Sequence, residues 1–291
     1  MIPRAFELHT PATVSEAVSM LKSLDDPMVL AGGQSLVPLM KLRLVSPANI
    51  VDLGKIPGLS YIRKEKDYLS IGSMTTHNDV ASSPLVKAKC TTLSETAGRI
   101  GDQQVRNRGT IGGTICHADP AGDVPAAALA LDAELVVAAP QRRRAIKARD
   151  FFQDMFTTSR RQNEILVQVR VPVLPPRSGG AYLKLGRGAS DLATVGVAAA
   201  VALDKAGACK DVRLGLAGVG SNPIRATRAE DVLKGHRPSR GLVAEAGERA
   251  SEMSRPSTDI RGSAEYKREM VKVYVRRAIS LCLVRVPKGS Q

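Results

Sequence analysis

The fifteen residues Gly109–Asp123, GTIGGTICHADPAGD, hold four glycines, two aspartates, a cysteine and a histidine, and run into the apolar segment Pro125–Leu131. A shorter glycine segment, Ala31–Leu36 (AGGQSL), lies far upstream. Glycine pairs admit positive φ and let a ligand approach the main chain with no Cβ in the way. Where such a pair leads into a helix, unpaired N–H groups converge and make an anion site. Gln34 and Ser35 add side-chain donors to the first segment, and Thr110 and Thr114 bracket Ile111-Gly112-Gly113 in the second. Two donor-rich loops closing on one ligand suit a pyrophosphate, whose charges take several hydrogen bonds of about 1.5–3 kcal/mol each. A glycine pair alone also marks a tight turn. Neither segment has the G-x-G-x-x-G order, nor that of a P-loop.

The louder residues of the second segment carry less. Cys116 and His117 are adjacent, match no common zinc spacing, and lack the sequence separation usual for a Cys–His catalytic pair. By residue type, His77 and His117 read as surface or loop hydrogen-bonding groups. Asp119 and Asp123 read as turn and helix-start residues, with Asp123 alternatively accepting from a ribityl or ribose hydroxyl. Lys184 reads as a solvated lysine unless its strand faces the cofactor. Gly215–Gly220 has the wrong spacing for a nucleotide loop and reads as a turn at a strand end. Cys90, Cys116, Cys209 and Cys282 contain no C-x-x-C, so an iron–sulfur cluster or structural zinc held by this chain is not expected.

These segments need elements to hold them. Thr13–Glu16 is a capping box opening a helix with Val14, Ala17, Val18, Leu21 and Leu24 on one face. A buried strand at Met28–Leu30 runs into the first glycine segment. A short helix at Leu36–Leu44 and a strand at Asn49–Leu53 follow, a unit suited to a small parallel sheet. A hairpin at Tyr61–Ile71, helices at Thr76–Ala81, Thr91–Ile100 and Pro125–Leu131, and strands near Glu134–Ala139, Ala145–Lys147 and Ile165–Val171 suggest an α+β unit, with Arg142–Arg144 as a charged turn. Pro172, Pro175, Pro176, Gly179 and Gly180 read as a linker. Beyond it come strands at Ala181–Leu185, Ala193–Leu203 and Val212–Val219. Helices at Ala226–Leu233, Leu242–Met253 and Ser263–Leu283 then cover one side of that sheet. In the last helix Tyr266, Met270, Val273, Tyr274, Arg277 and Leu281 recur at helical spacing.

Bulk properties narrow the classes. The 291 residues suit two or three subdomains. With no Trp and 3% aromatics, the core is built from aliphatic residues. The net charge of +14 admits a nucleic acid, an anionic membrane surface, an acidic ligand or partner subunit, or simply a basic soluble surface. A nucleic-acid module would interleave basic clusters with stacking aromatics, which are scarce here. No apolar run reaches the length of a membrane span, and MIPRAFELHT has no signal-peptide core, so the expected location is cytoplasmic.

Ala31-Gly-Gly-Gln-Ser-Leu36 with Pro38–Arg43, and Thr110-Ile-Gly-Gly113 with Asp119-Pro120 and Asp123-Val-Pro125, resemble the two FAD-binding segments of the molybdenum hydroxylase flavoprotein subunits, most of all the medium subunits of aerobic carbon monoxide dehydrogenases. Ile2–Phe6, Gln104–Arg106, Asp191–Gly196 and Arg261–Tyr266 carry the resemblance along the whole chain. It implies an α+β FAD-binding fold of the PCMH (vanillyl-alcohol-oxidase-like) type. FAD-binding subdomains at 1–55 and 56–176 would precede a C-terminal flavoprotein-subunit domain at 177–291, a three-stranded antiparallel sheet packed on helices. By this resemblance Gly32, Gly33, Gln34, Ser35 and Leu36, with Thr110, Ile111, Gly112, Gly113 and Thr114, would hold the FAD pyrophosphate and nearby groups, and Leu30, Ala31, Gly101 and His117 would also bind the cofactor. Asp123 would take the ribityl or adenosine side, Leu166 and Lys184 would lie nearby, and Leu192 would sit by the isoalloxazine ring. Thr114 stands where relatives usually carry Asn, Leu192 where some carry Tyr, and Gln34 where His is common.

The role so implied is electron transfer within an oxidoreductase. A large molybdenum-cofactor subunit would oxidise substrate and a small subunit with [2Fe-2S] clusters would relay electrons singly to this FAD, for an external acceptor. The assembly would be a dimer of heterotrimers. This chain would supply no catalytic acid or base and no metal ligand. A stand-alone flavin oxidoreductase of the same fold is the alternative within the class, and a basic nucleic-acid-binding module the alternative outside it.

Overall fold

The computed structural model describes residues 2–188 and 190–287. The chain opens with β1 (Glu7–His9), α1 (Val14–Ser23), β2 (Pro27–Leu30), α2 (Leu36–Lys41) and β3 (Asn49–Asp52). The three strands are parallel in the order β1-β3-β2. Thr13 Oγ1 accepts from the Glu16 N–H, and the Glu16 carboxylate accepts from the Ala12 N–H, so the box closes one residue early. β1 has no sequence signal, being three residues with two polar ones. The first glycine segment leaves the carboxyl end of a parallel strand, where ligands of open α/β sheets bind.

A hairpin of β4 (Ile62–Glu65) and β5 (Tyr68–Gly72) begins the second sheet. Six short helices follow: α3 (His77–Ser82), α4 (Pro84–Lys89), α5 (Thr91–Gly98), α6 (Gln103–Arg108), α7 (Ile111–His117) and α8 (Asp123–Ala130). Then come β6 (Glu134–Ala139), β7 (Arg142–Lys147), α9 (Ala148–Phe151), a small ribbon of β8 (Phe152–Asp154) and β9 (Thr157–Thr158), and β10 (Ile165–Pro172). The five-stranded antiparallel sheet has the order β4-β5-β10-β6-β7. One face packs Leu69, Leu135 and Val169 on Ile111, Ile115 and Val124 of the helices. The other packs Val136, Ile165 and Val167 on Ala17, Val18 and Leu21 of α1, which seats the first sheet on the second.

Arg142–Arg144 are strand, not turn; the turn is Pro140-Gln141. The cause lies elsewhere in the chain. Buried Glu164 accepts two 2.8 Å hydrogen bonds from the Arg144 guanidinium, which holds its carboxyl below the usual range and fixes the arginine along β7.

The third sheet is antiparallel and four-stranded rather than three-stranded: β11 (Ser178–Leu185), β12 (Val195–Leu203), β13 (Cys209–Ala217) and a two-residue edge strand, β14 (Ile224–Arg225). Its helices are α10 (Thr227–Leu233), α11 (Arg240–Met253) and α12 (Ala264–Arg285). These do not cover the sheet alone, because α5 and α8 pack on its other face. Burial on both faces explains the unbroken apolar run of β12. Gly179 and Gly180 are therefore strand residues, not linker. A side chain at 179 would overlap the Cys282 carbonyl of α12, and one at 180 would overlap Thr92 of α5, one neighbour on each face of the sheet. Gly215 likewise belongs to β13, and the turn begins only at Gly218.

The buried face of α12 is Lys267, Val271, Val275, Ala278, Ile279 and Cys282, one position on from the stripe Tyr266–Leu281. Small residues fit where the helix meets the sheet, while Tyr266 is exposed. Lys267 is tolerated because its Nζ pairs with Asp259 at 2.8 Å and donates to the Ser257 carbonyl at 2.9 Å. Gly179→Ala should force β11 off α12 and cost about 2 kcal/mol or more, read as a lowered urea midpoint with an unchanged slope.

Candidate functional site

Residues 31–35 form a bend between β2 and α2 in which Gly33 has φ +74°. Among the described residues, the N–H groups of Gly32, Gly33, Gln34 and Ser35 donate to no protein acceptor, and the Ser35 side chain does not cap α2. Gln34 is exposed. The segment therefore presents a row of open donors. Gly32 abuts the end of α6: a Cβ there would overlap the Arg108 carbonyl. A Cβ at Gly113 would lie 3.6 Å from the Ala31 Cβ. The two glycine segments, distant in sequence, are thus in contact.

The second segment is not a loop. Ile111–His117 is helix α7, and Thr110 is its N-cap, with Oγ1 accepting from the Gly113 N–H at 3.1 Å. The other early N–H groups are also taken: Ile111 donates to the Thr75 carbonyl at 3.0 Å, Gly112 to the Ser73 carbonyl at 2.9 Å, and Thr114 to the Thr110 carbonyl at 3.1 Å. So α7 offers threonine hydroxyls and a close glycine surface, while the open amides belong to residues 32–35.

His77 is buried, not at the surface. Its N–H donates to the Gly109 carbonyl at 2.9 Å, and its Nε2 shares a 2.7 Å hydrogen bond with Thr114 Oγ1. Nδ1 is buried and has no protein partner among the described residues. Burial, helped by the Arg106 charge, pushes the imidazole down to about 4. Ser73, Thr75 and His77 thus form the floor that fixes α7, yet none of them lies in a glycine motif.

Asp123 opens α8 and is 4% exposed. Oδ1 accepts from the Tyr182 hydroxyl, and Oδ2 lies 2.8 Å from Lys184 Nζ. Burial raises the carboxyl, and Lys184 and Tyr182 oppose that rise. Lys184 is consequently no solvated lysine: its Nζ also donates to the Arg99 carbonyl at 3.1 Å. Tyr182 joins the site without any sequence signal beyond its place on a strand.

The other residues are dispersed. Leu166 and Ile111 turn into the central core, and Leu30 is half-buried at the end of β2. Gly101, at φ +48°, accepts from Arg106 Nη1 at 3.2 Å. His117 stacks on Phe156 with centroids 5.0 Å apart, and burial lowers its imidazole. Leu192 is 38% exposed; its N–H donates to Asp191 Oδ1, and Asp191 pairs with Arg187 and Arg261. The four cysteines are free thiols. Among the described residues, no helix is long and apolar enough to cross a membrane.

The site thus combines an open-amide bend at the end of a parallel strand, a capped glycine-bearing helix against it, and a buried carboxylate at the start of the next helix. Residues 4–174 match the family described as the FAD binding domain in molybdopterin dehydrogenase, and residues 180–281 match the CO dehydrogenase flavoprotein C-terminal domain. The chain is similar to the carbon monoxide dehydrogenase medium chain of Hydrogenophaga pseudoflava, 40% identical over 98% of this chain and 99% of that one. It is also 38% identical to the glyceraldehyde dehydrogenase medium chain of Sulfolobus acidocaldarius, over 96% and 98% of the two chains. Among solved structures, carbon monoxide dehydrogenase from Hydrogenophaga pseudoflava lacking the Mo-pyranopterin moiety of its cofactor matches with a TM-score of 0.96 at 41% identity, covering 99% of this chain and 100% of that one. This chain belongs to the family of FAD-binding flavoprotein subunits of molybdopterin dehydrogenases, and is an oxidoreductase subunit.

The buried His77 sets a pH dependence. Between the ordinary imidazole value of 6.5 and about 4, the unfolded chain binds a proton that the folded ring refuses. Stability therefore falls as pH drops through that window, by on the order of 3 kcal/mol in full. His77→Gln should flatten this dependence, checked by urea midpoints at neutral pH and near the lower end of the window.

Proposed function

We propose that this chain is the electron-transfer subunit of a molybdenum hydroxylase, of the PCMH-type fold, with FAD held between the bend at residues 31–36 and the start of α7. The observation that carries this reading is the contact of the two glycine segments, with open amides on one and hydroxyls on the other. The residues fit the cofactor. The N–H groups of Gly32–Ser35 suit the pyrophosphate, aided by the Gln34 and Ser35 side chains and flanked by Leu30, Ala31 and Leu36. Gly113 lets the pyrophosphate approach α7, and Thr110 and Thr114 supply hydroxyls. Asp123, held by Lys184, suits a ribityl or ribose hydroxyl. Leu192 is exposed enough to cover a flavin face. Gly101 and His117 border the same elements, and Ile111, Gly112 and Leu166 serve it from the core side.

When bound, FAD supplies the redox chemistry, taking electrons singly and passing them on. The chain's own groups bind and orient the cofactor, and no acid–base residue is needed. The electrons would come from [2Fe-2S] clusters in a small partner subunit, fed by a large molybdenum-cofactor subunit, in a cytoplasmic dimer of heterotrimers delivering to an external acceptor. The absence of any C-x-x-C among the four cysteines suits clusters held elsewhere. The +14 charge suits an anionic cofactor and acidic partner surfaces. The domain limits 1–55, 56–176 and 177–291 belong to the same proposal, and their sheets fall within them. The relatives' carbon monoxide and glyceraldehyde chemistries are both compatible, because substrate oxidation belongs to another chain.

The test is the visible spectrum of the chain purified with its co-expressed partner subunits. A flavin band at one FAD per chain is expected, bleaching when the complex turns over substrate; a colourless complex that takes up no added FAD would reject the reading. A Cβ at Gly113 would already lie 2.9 Å from Thr110 Oγ1, so Gly113→Val should displace the α7 cap and abolish FAD uptake. Retained full occupancy would remove α7 from the site.

A further inference from the structure

A run of polar contacts ties the C-terminal helix to Asp123. Arg285, the last residue of α12, donates from Nη2 to Glu95 Oε1 at 2.6 Å and from Nη1 to the Gly180 carbonyl at 2.7 Å. Glu95, on α5, accepts the Tyr182 N–H on its other oxygen at 3.0 Å. The Tyr182 hydroxyl then donates to Asp123 Oδ1, while Lys184 holds Oδ2. The Tyr182 side chain is fully buried, and a buried phenol hydroxyl requires a partner; Asp123 is the one it has. Space for the hydroxyl comes from the neighbouring strand: a Cβ at Gly196 of β12 would stand 2.5 Å from the Tyr182 oxygen.

We propose that Tyr182 is a positioning residue of the cofactor site, a hydroxyl supplied by the third sheet that fixes the Asp123 carboxylate so that its remaining lone pairs meet a cofactor hydroxyl. This rests on the FAD reading above and deepens it. A carboxylate has about four acceptor sites, and two are filled from β11. Because Tyr182 and Lys184 come from β11 and Glu95 from α5, cofactor affinity depends on how the third sheet sits against α5 and α8.

The charged and titratable groups facing Asp123 are Tyr182 and Lys184 from β11 and Asp119 from the turn before α8, with Arg99 and Glu95 of the α5 region behind them. Burial and Asp119 favour the protonated carboxyl; Lys184 and the Tyr182 hydroxyl favour the carboxylate. Removing the hydroxyl makes Asp123 take a proton at higher pH and lose acceptor capacity there.

The experiment strips flavin from the full chain in the assembly in which it purifies, and measures FAD dissociation constants by fluorescence quenching from about pH 5 to about pH 9. Wild type should bind more weakly at the acid end. Tyr182→Phe, which keeps the ring, should move that acid limb upward by about one pH unit, an affinity loss of about tenfold on the acid side with little change at the alkaline end. Gly196→Ala keeps the phenol but crowds its hydroxyl, and should give the same shift even if Tyr182→Phe fails to fold. In an Asp123→Asn background, neither change should alter the pH profile. If wild type binds FAD and the variant profiles superimpose on its own, the role of Tyr182 is overturned and the FAD reading stands. If wild type takes up no FAD at any pH, both fall.

Discussion

The peptide joining Arg108 to Gly109 occupies the space where a side chain at residue 32 would stand. On that contact the site depends. It brings the end of a parallel strand from the first sheet against the connection between α6 and α7, elements that share no sheet and lie far apart in sequence. Gly109 is itself held on both sides, its N–H donating to the Val105 carbonyl at 2.7 Å and its carbonyl accepting from His77 at 2.9 Å. The bend at 31–35 is therefore braced from behind by backbone. Among the described residues, the N–H groups of Gly32–Ser35 have no protein acceptor.

The two halves of the site are unequal for the same reason. The first turn of α7 is satisfied inward by Thr75, Ser73 and Thr110, so it contributes shape and hydroxyls rather than amide donors. At the opposite end, α8 begins with a carboxylate that burial alone would make costly. The Lys184 pair and the Tyr182 hydroxyl offset that cost, and removing either partner of such a buried pair typically destabilises by about 3–5 kcal/mol. A negative group at a helix N-terminus adds a further favourable term. Asp123 and Lys184 are thus a buried ion pair, joined on the carboxylate's other oxygen by the Tyr182 hydroxyl.

Much of this organisation was legible along the chain. The strand–bend–helix–strand unit around Ala31–Leu36 declared itself because an apolar run, a glycine pair and a second apolar run follow one another locally. Asp123 was legible as a helix start, and Lys184 as a residue whose role turned on where its strand faced. Helix α7 was hidden because two glycines each cost about 1 kcal/mol in a helix, and only the Ser73 and Thr75 carbonyls and the Thr110 cap repay it. Arg142–Arg144 looked like a turn because the carboxylate that makes Arg144 a strand residue, Glu164, comes from another segment. His77 and Tyr182 carry no local mark at all: their roles consist of partners at residues 114 and 123.

By itself, then, the order of residues determined the family, the mixed α+β class, most helices and strands, and where the two glycine segments lie along the chain. These depend on local patterning and on motifs a few residues long, which the chain displays before it folds. Only the tertiary structure decided which amides stay open, which face of α12 is buried, that the third sheet is covered on both sides, and that the carboxylate beginning the segment after Gly109–Gly122 is held from β11. Those features depend on pairs far apart in sequence, whose distances and desolvation exist only once the sheets have packed.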